Sequence, residues 1–94
     1  MQDLILHSLS NTAIKYSADK IILFGSRARG NNRPNSDYDI AVFGMPDSNQ
    51  PLFWADVEDI STLLKFDIVF VTDTTNKKLI ENIKKDGVIL YAKD

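Results

Sequence analysis

The chain has 94 residues, no cysteine and a formal net charge of −2. That suffices for one domain with one core, spanning 1–94, and leaves no disulfide, thiol nucleophile or cysteine metal site. Hydrophobic residues make up 44% and charged residues 26%, an ordinary globular balance, and no apolar run approaches the roughly 18 residues of a membrane span. The eleven lysines and arginines fall into two loose groups, Arg27/Arg29/Arg33 and Lys77/Lys78/Lys84/Lys85. A stable, sequence-independent hold on nucleic acid is therefore not expected, whereas the few phosphates of one nucleotide are within reach. The start, Met1-Gln2-Asp3, is acidic where an export signal is basic, so a reducing cytoplasm is the expected location.

In chain order, Gln2 to about Ser17 has the spacing of an amphipathic helix, with Ile5, Leu9, Ala13 and Tyr16 on one stripe. His7 near its start is expected on the surface. Lys20–Phe24 is a continuous apolar strand of the kind covered on both faces. Gly25 supplies a tight turn, and Ser26 is placed to cap a short helix. Asn31–Asn35 is a loop by composition, with Ser36 opening a second strand that runs to Phe43. Pro51 starts a helix with Phe53, Val57, Ile60 and Leu64 inward, reaching about Leu64. Trp54, beside Phe53, is a candidate partner contact. Phe66–Val71 is a third strand. A last helix from Thr75 to Lys85 buries Leu79, Ile80 and Ile83, keeps its lysines in solvent, and is followed by Gly87 as C-cap and a short strand, Val88–Tyr91. The short link between the first two strands allows them to run antiparallel, so the fold class is α/β (α+β), with one mixed sheet flanked by helices.

Acids are depleted from strands and costly to bury, yet three sit in these. Asp37 and Asp39 are two residues apart and face the same way, roughly 6–7 Å apart along the strand. Asp67 faces away from Phe66, Ile68 and Phe70, and reaches the same patch if the third strand lies beside the second. Three clustered carboxylates repel unless a cation neutralises them. A hard divalent ion fits best, since magnesium takes carboxylates together with phosphate oxygens. Two such ions about 3.5–4 Å apart stabilise the attacking and leaving oxygens of an in-line displacement. Gly25 and Ser26 can offer amides and a hydroxyl to a triphosphate, with Arg27 or Arg29 adding forked donors. Nucleotidyl transfer, with pyrophosphate leaving, is the reaction class this implies.

Gly25-Ser26, ten intervening residues, Asp37-Tyr38-Asp39 and a later acid at Asp67 together resemble the nucleotidyltransferases of the DNA polymerase beta superfamily. The likeness runs from Ile21 to about Tyr91. Within that superfamily the chain is similar to the minimal nucleotidyltransferases (MNT) of bacteria and archaea. The resemblance implies that Asp37, Asp39 and Asp67 are catalytic and hold magnesium, Asp67 also activating the attacking hydroxyl. It implies that Gly25 and Ser26 contact the triphosphate of ATP. It further implies an antitoxin role, in which AMP is moved from ATP to a tyrosine of a HEPN-class toxin partner. Two other functions are compatible with the same residues. One is transfer to a small molecule of the aminoglycoside type, against which the lack of a second domain counts. The other is an antitoxin that acts by binding alone.

Overall fold

A computed structural model describes residues 3–34, 36–61 and 63–93. The elements are α1 (Leu4–Lys15), β1 (Lys20–Phe24), α2 (Gly25–Arg29), β2 (Tyr38–Phe43), α3 (Gln50–Glu58, entered through a 3-10 turn at Asp47–Asn49), β3 (Phe66–Val71), α4 (Lys77–Asp86) and β4 (Val88–Ala92). The four strands form one sheet in the order β3-β2-β1-β4. β1 runs antiparallel to β2 and β4, while β2 and β3 are parallel. The sheet is thus mixed, as the link lengths predict.

Alternation along the strands divides the apolar residues between two faces. Ile21 and Leu23 of β1 and Ile40 and Val42 of β2 join Leu9 and Ala13 of α1 and Phe53 and Val57 of α3 in the main core. Ile22, Ala41 and Ile83 form a smaller core on the opposite face, flanked by Phe24, Phe43, Leu79 and Ile80. The second face is thinner because only α2 and α4 cover it. It is there that room remains for polar side chains at the end of the sheet.

The ends of the helices depart from the sequence expectations for local reasons. α1 begins later than expected, at Leu4, because the Asp3 carboxylate accepts from the amides of Ile5 and Leu6 at 2.9 and 3.4 Å and so caps the helix. Gln2, the expected start, lies outside the described residues. At the other end Ala18 N–H bonds to Ala13 O and Ser17 N–H to Ile14 O, a Schellman closure with Ser17 at φ 66° where glycine is usual. Ser17→Gly is expected to stabilise the fold by up to about 1 kcal/mol, relief of left-handed strain outweighing glycine's greater unfolded-state entropy. Urea unfolding measures it.

α3 stops at Glu58, short of Leu64. The Ile60 amide turns back to Val57 O, and the Ser61 hydroxyl accepts from the Leu63 amide at 3.2 Å. A local hydroxyl bond competes with helix continuation. Ile60 and Leu64 still pack on the main core from that turn. α4 starts at Lys77 instead of Thr75, because Asn76 caps it and Thr72–Thr75 closes a separate hydroxyl-bonded turn. Gly87 does stand at its C-cap, but in an extended conformation (φ −70°, ψ 142°). A side chain there would strike Ile83 O and the Ile22 side chain, so close packing selects this glycine, not a left-handed turn.

Candidate active site

β1 ends at Phe24, whose register partner on β2 is Asp39. Asp39 in turn pairs with Asp67 across the parallel ladder. Neighbouring strands lie about 4.8 Å apart, so the two carboxylates project side by side on the face that carries the smaller core. Each is half-buried. Burial, then the charges of Asp67 and Asp37, then the reach of the Asp67 carboxyl to that of Asp39 all push the Asp39 carboxyl above its usual range, and Arg29 opposes them. Crowding by like charge thus favours the neutral form of Asp39.

Gly25 follows Phe24 directly and has φ +74°. A Cβ at this position would collide with the Asp39 carboxylate, so only glycine lets the chain turn here with the acid lying against its backbone. α2 begins at Gly25 itself with Phe24 as its N-cap and no side-chain cap bond. Ser26 therefore sits inside the first turn of the helix, and the capping role expected for it is not the one it has.

Asp37 stands just ahead of β2, which opens at Tyr38 and not at Ser36. It bears on Asp39 through charge from just ahead of the strand. Among the described residues no three acids or histidines are drawn close enough to hold a metal ion as they stand. The donor set is nevertheless that of a hard cation. Asp39 and Asp67 crowd together without an ion pair to either among the described residues, and a cation relieves the repulsion that now favours a proton.

The two arginines differ. Arg29 is half-exposed, bonds Asp86 of α4 at 3.4 Å, and its charge acts on Asp39. Arg27 instead turns inward along the loop, donating from Nε to Ser36 O and from Nη2 to Pro34 O, both at 3.0 Å. Its guanidinium lies 3.8 Å from the centre of the Tyr38 ring. Sequence reasoning held no sign of this stack, because nothing local marks Tyr38 as its platform.

The sequence profile of the family described as Polymerase beta, Nucleotidyltransferase matches residues 7–94. The chain belongs to this nucleotidyltransferase family. No curated protein sequence matches it. Among solved structures, this nucleotidyltransferase resembles a chain in the crystal structure of a toxin–antitoxin with AMP-PNP. There the TM-score is 0.76 and the identity 19%, over 95% of this chain and 74% of the other. It also resembles a chain in the complex of a tri-AMPylated Shewanella oneidensis HEPN toxin with an MNT antitoxin, with a TM-score of 0.71, 18% identity, and coverage of 98% and 73%. At such identities the likeness is one of fold, and the nucleotidyltransferase fold is what the sequence motifs imply.

Other predicted positions lie away from the acids. His7 is exposed on α1. Trp54, 38% exposed, lines a cavity of about 470 Å³ with Glu58, Ser61, Leu64, Lys65 and Phe66. Phe66 and Asp67 are consecutive in β3, so the cavity opens at the same end of the sheet but on its other face. No described helix is long and apolar enough to cross a membrane.

Proposed function

We propose that this nucleotidyltransferase moves AMP from ATP to a tyrosine of a HEPN-type toxin and so serves as its antitoxin, in the cytoplasm. The observation that carries the reading is the in-register pair Asp39 and Asp67, set against Gly25 at the start of α2. A nucleotidyltransferase needs carboxylates beside a place for the triphosphate, and the closeness of this pair to Gly25 at the end of the sheet supports that reading.

Asp37, Asp39 and Asp67 are the residues that would hold magnesium, whose charge would offset that of the phosphates and of the leaving pyrophosphate. Gly25 and Ser26 hold the triphosphate through backbone and hydroxyl, and Arg29, whose charge acts on Asp39, adds donors to its oxygens. The tyrosine hydroxyl oxygen forms a bond to the α-phosphorus, and the bond from that phosphorus to the bridging oxygen breaks. Pyrophosphate leaves, and the phenolic proton passes to Asp67, the register partner of Asp39. The two structural neighbours, one a complex with AMP-PNP and the other a complex with an AMPylated toxin, support adenylyl transfer over other nucleotidyl chemistry.

The test uses ATP labelled at the α-phosphate, magnesium and the HEPN toxin. Label on a toxin tyrosine that is lost with EDTA and with Asp39→Asn is the expected result. Neutralisation of the toxin that survives Asp39→Asn would replace the reading with one of binding alone. Label on an added aminoglycoside in place of the toxin would overturn the protein acceptor.

A further inference from the structure

Arg27 bonds Pro34 O and Ser36 O in the segment ahead of β2 and stacks on the first residue of β2, and two of these three contacts fall one residue from a carboxylate. It donates to Ser36 O, next to Asp37. It stacks on Tyr38, which lies between Asp37 and Asp39. Tyr38 is 3% exposed and stacks in turn on Phe66, next to Asp67, with ring centres 5.4 Å apart. Tyr38 is held at its own far end as well. Its hydroxyl donates to Asp3 Oδ2 at 3.0 Å, and its amide donates to Lys65 O at 3.0 Å. The loop that Arg27 grips is closed on itself by Ser36 N–H to Arg33 O and by Arg33 N–H to the Ser36 hydroxyl.

We propose that Arg27 is a positioning residue that sets the spacing of Asp37, Asp39 and Asp67 through Ser36 and the Tyr38–Phe66 stack, and does not bind the triphosphate. The inference rests on the nucleotidyltransferase reading of the acids. The Nε–Nη2 edge is committed to two carbonyls and one planar face is covered by Tyr38, so the edge that pairs side-on with a phosphate is used within the fold and only Nη1 and one Nη2 hydrogen remain. Asp37 has most to lose. It stands outside the ladder of β2, and no regular strand pairing fixes its backbone. Lysine cannot replace this arrangement, because an ammonium has neither the planar face nor two donors at fixed separation.

The test compares Arg27→Lys and Arg27→Met with wild type in three readouts: kcat for transfer, KM for ATP, and Mn²⁺ affinity measured by electron paramagnetic resonance with the metal alone. Loss of a residue that orients metal ligands costs about 10- to 100-fold in metal affinity or rate. Both variants are expected to lose that much in kcat and in Mn²⁺ affinity, with KM for ATP within about twofold of wild type, as befits an effect on the ligands and not on the nucleotide. Arg33→Met, an exposed change in the same loop, should leave all three unchanged, and circular dichroism should show every variant folded. A raised KM for ATP in Arg27→Met that lysine restores, with Mn²⁺ affinity unchanged, would make Arg27 a phosphate ligand and overturn the proposal. Wild-type values throughout would overturn it too. Failure of the wild-type protein itself to bind Mn²⁺ would remove the nucleotidyltransferase reading along with it.

Discussion

Asp39→Asn is expected to lower nucleotidyl transfer by about a thousandfold or more while raising the melting temperature of the protein. The loss follows from the role assigned to the carboxylate. Metal-borne charge stabilisation is worth several kcal/mol in the transition state, and each 1.36 kcal/mol is about a tenfold change in rate. The gain in stability follows from the environment of the same group. Its carboxyl is pushed up from the ordinary 3.8 by burial and by two neighbouring acids. The folded state therefore binds its proton more tightly than the unfolded chain does. Stability is highest below the ordinary carboxylate pKa, falls as pH rises through the interval up to the raised folded value, and stays at the lower level above it. Asparagine carries no charge and escapes that loss, so the variant gains at neutral pH and not in acid. Much of the carboxylate is in solvent, so screening keeps the gain modest. Thermal melts at neutral and acid pH, without metal, read the difference. A variant less stable than wild type at neutral pH would contradict the electrostatic account.

Phe53→Ala should cost about 3–5 kcal/mol, the range found when a large aromatic is removed from a packed core. Phe53 is fully buried and is the largest fully buried side chain among the described residues. It meets Phe70 edge to face, with ring centres 6.2 Å apart, and so joins α3 to the edge strand β3 that carries Asp67. Against a typical total of about 5–15 kcal/mol, the loss leaves a domain close to unfolding. Trp54→Ala, one residue along the same helix and in part exposed, is expected to cost far less. Urea unfolding of the pair separates the buried ring from the surface one. Equal midpoints would mean that α3 does not pack as described.

Where the chain alternates strictly or runs apolar without a break, its strands are legible in the sequence itself. β1 and β3 lie where their apolar residues place them, and the two faces of β3 separate as Phe66, Ile68 and Phe70 against Asp67, Val69 and Val71 predict. Helix termini are less legible because they turn on single polar side chains. Asp3, Ser61 and Asn76 each make a local hydrogen bond worth about 1 kcal/mol, too little to show in a pattern of hydrophobicity. The glycines divide in the same way. A turn at Gly25 is evident from composition, but its need to be side-chain-free comes from Asp39, distant in sequence.

Periodicity and link length alone determined that this chain makes a mixed sheet with helices on it and sets Asp39 and Asp67 within apolar strands. Those features depend on burial summed over whole segments, which a linear pattern records. The parallel pairing that puts Asp39 against Asp67, the stop of β2 short of Asp37, and the turning of Arg27 onto Tyr38 were decided only in three dimensions. Each depends on which strand or ring becomes a neighbour, and that is settled by the packing of the entire core and not by any stretch of sequence around the residue itself.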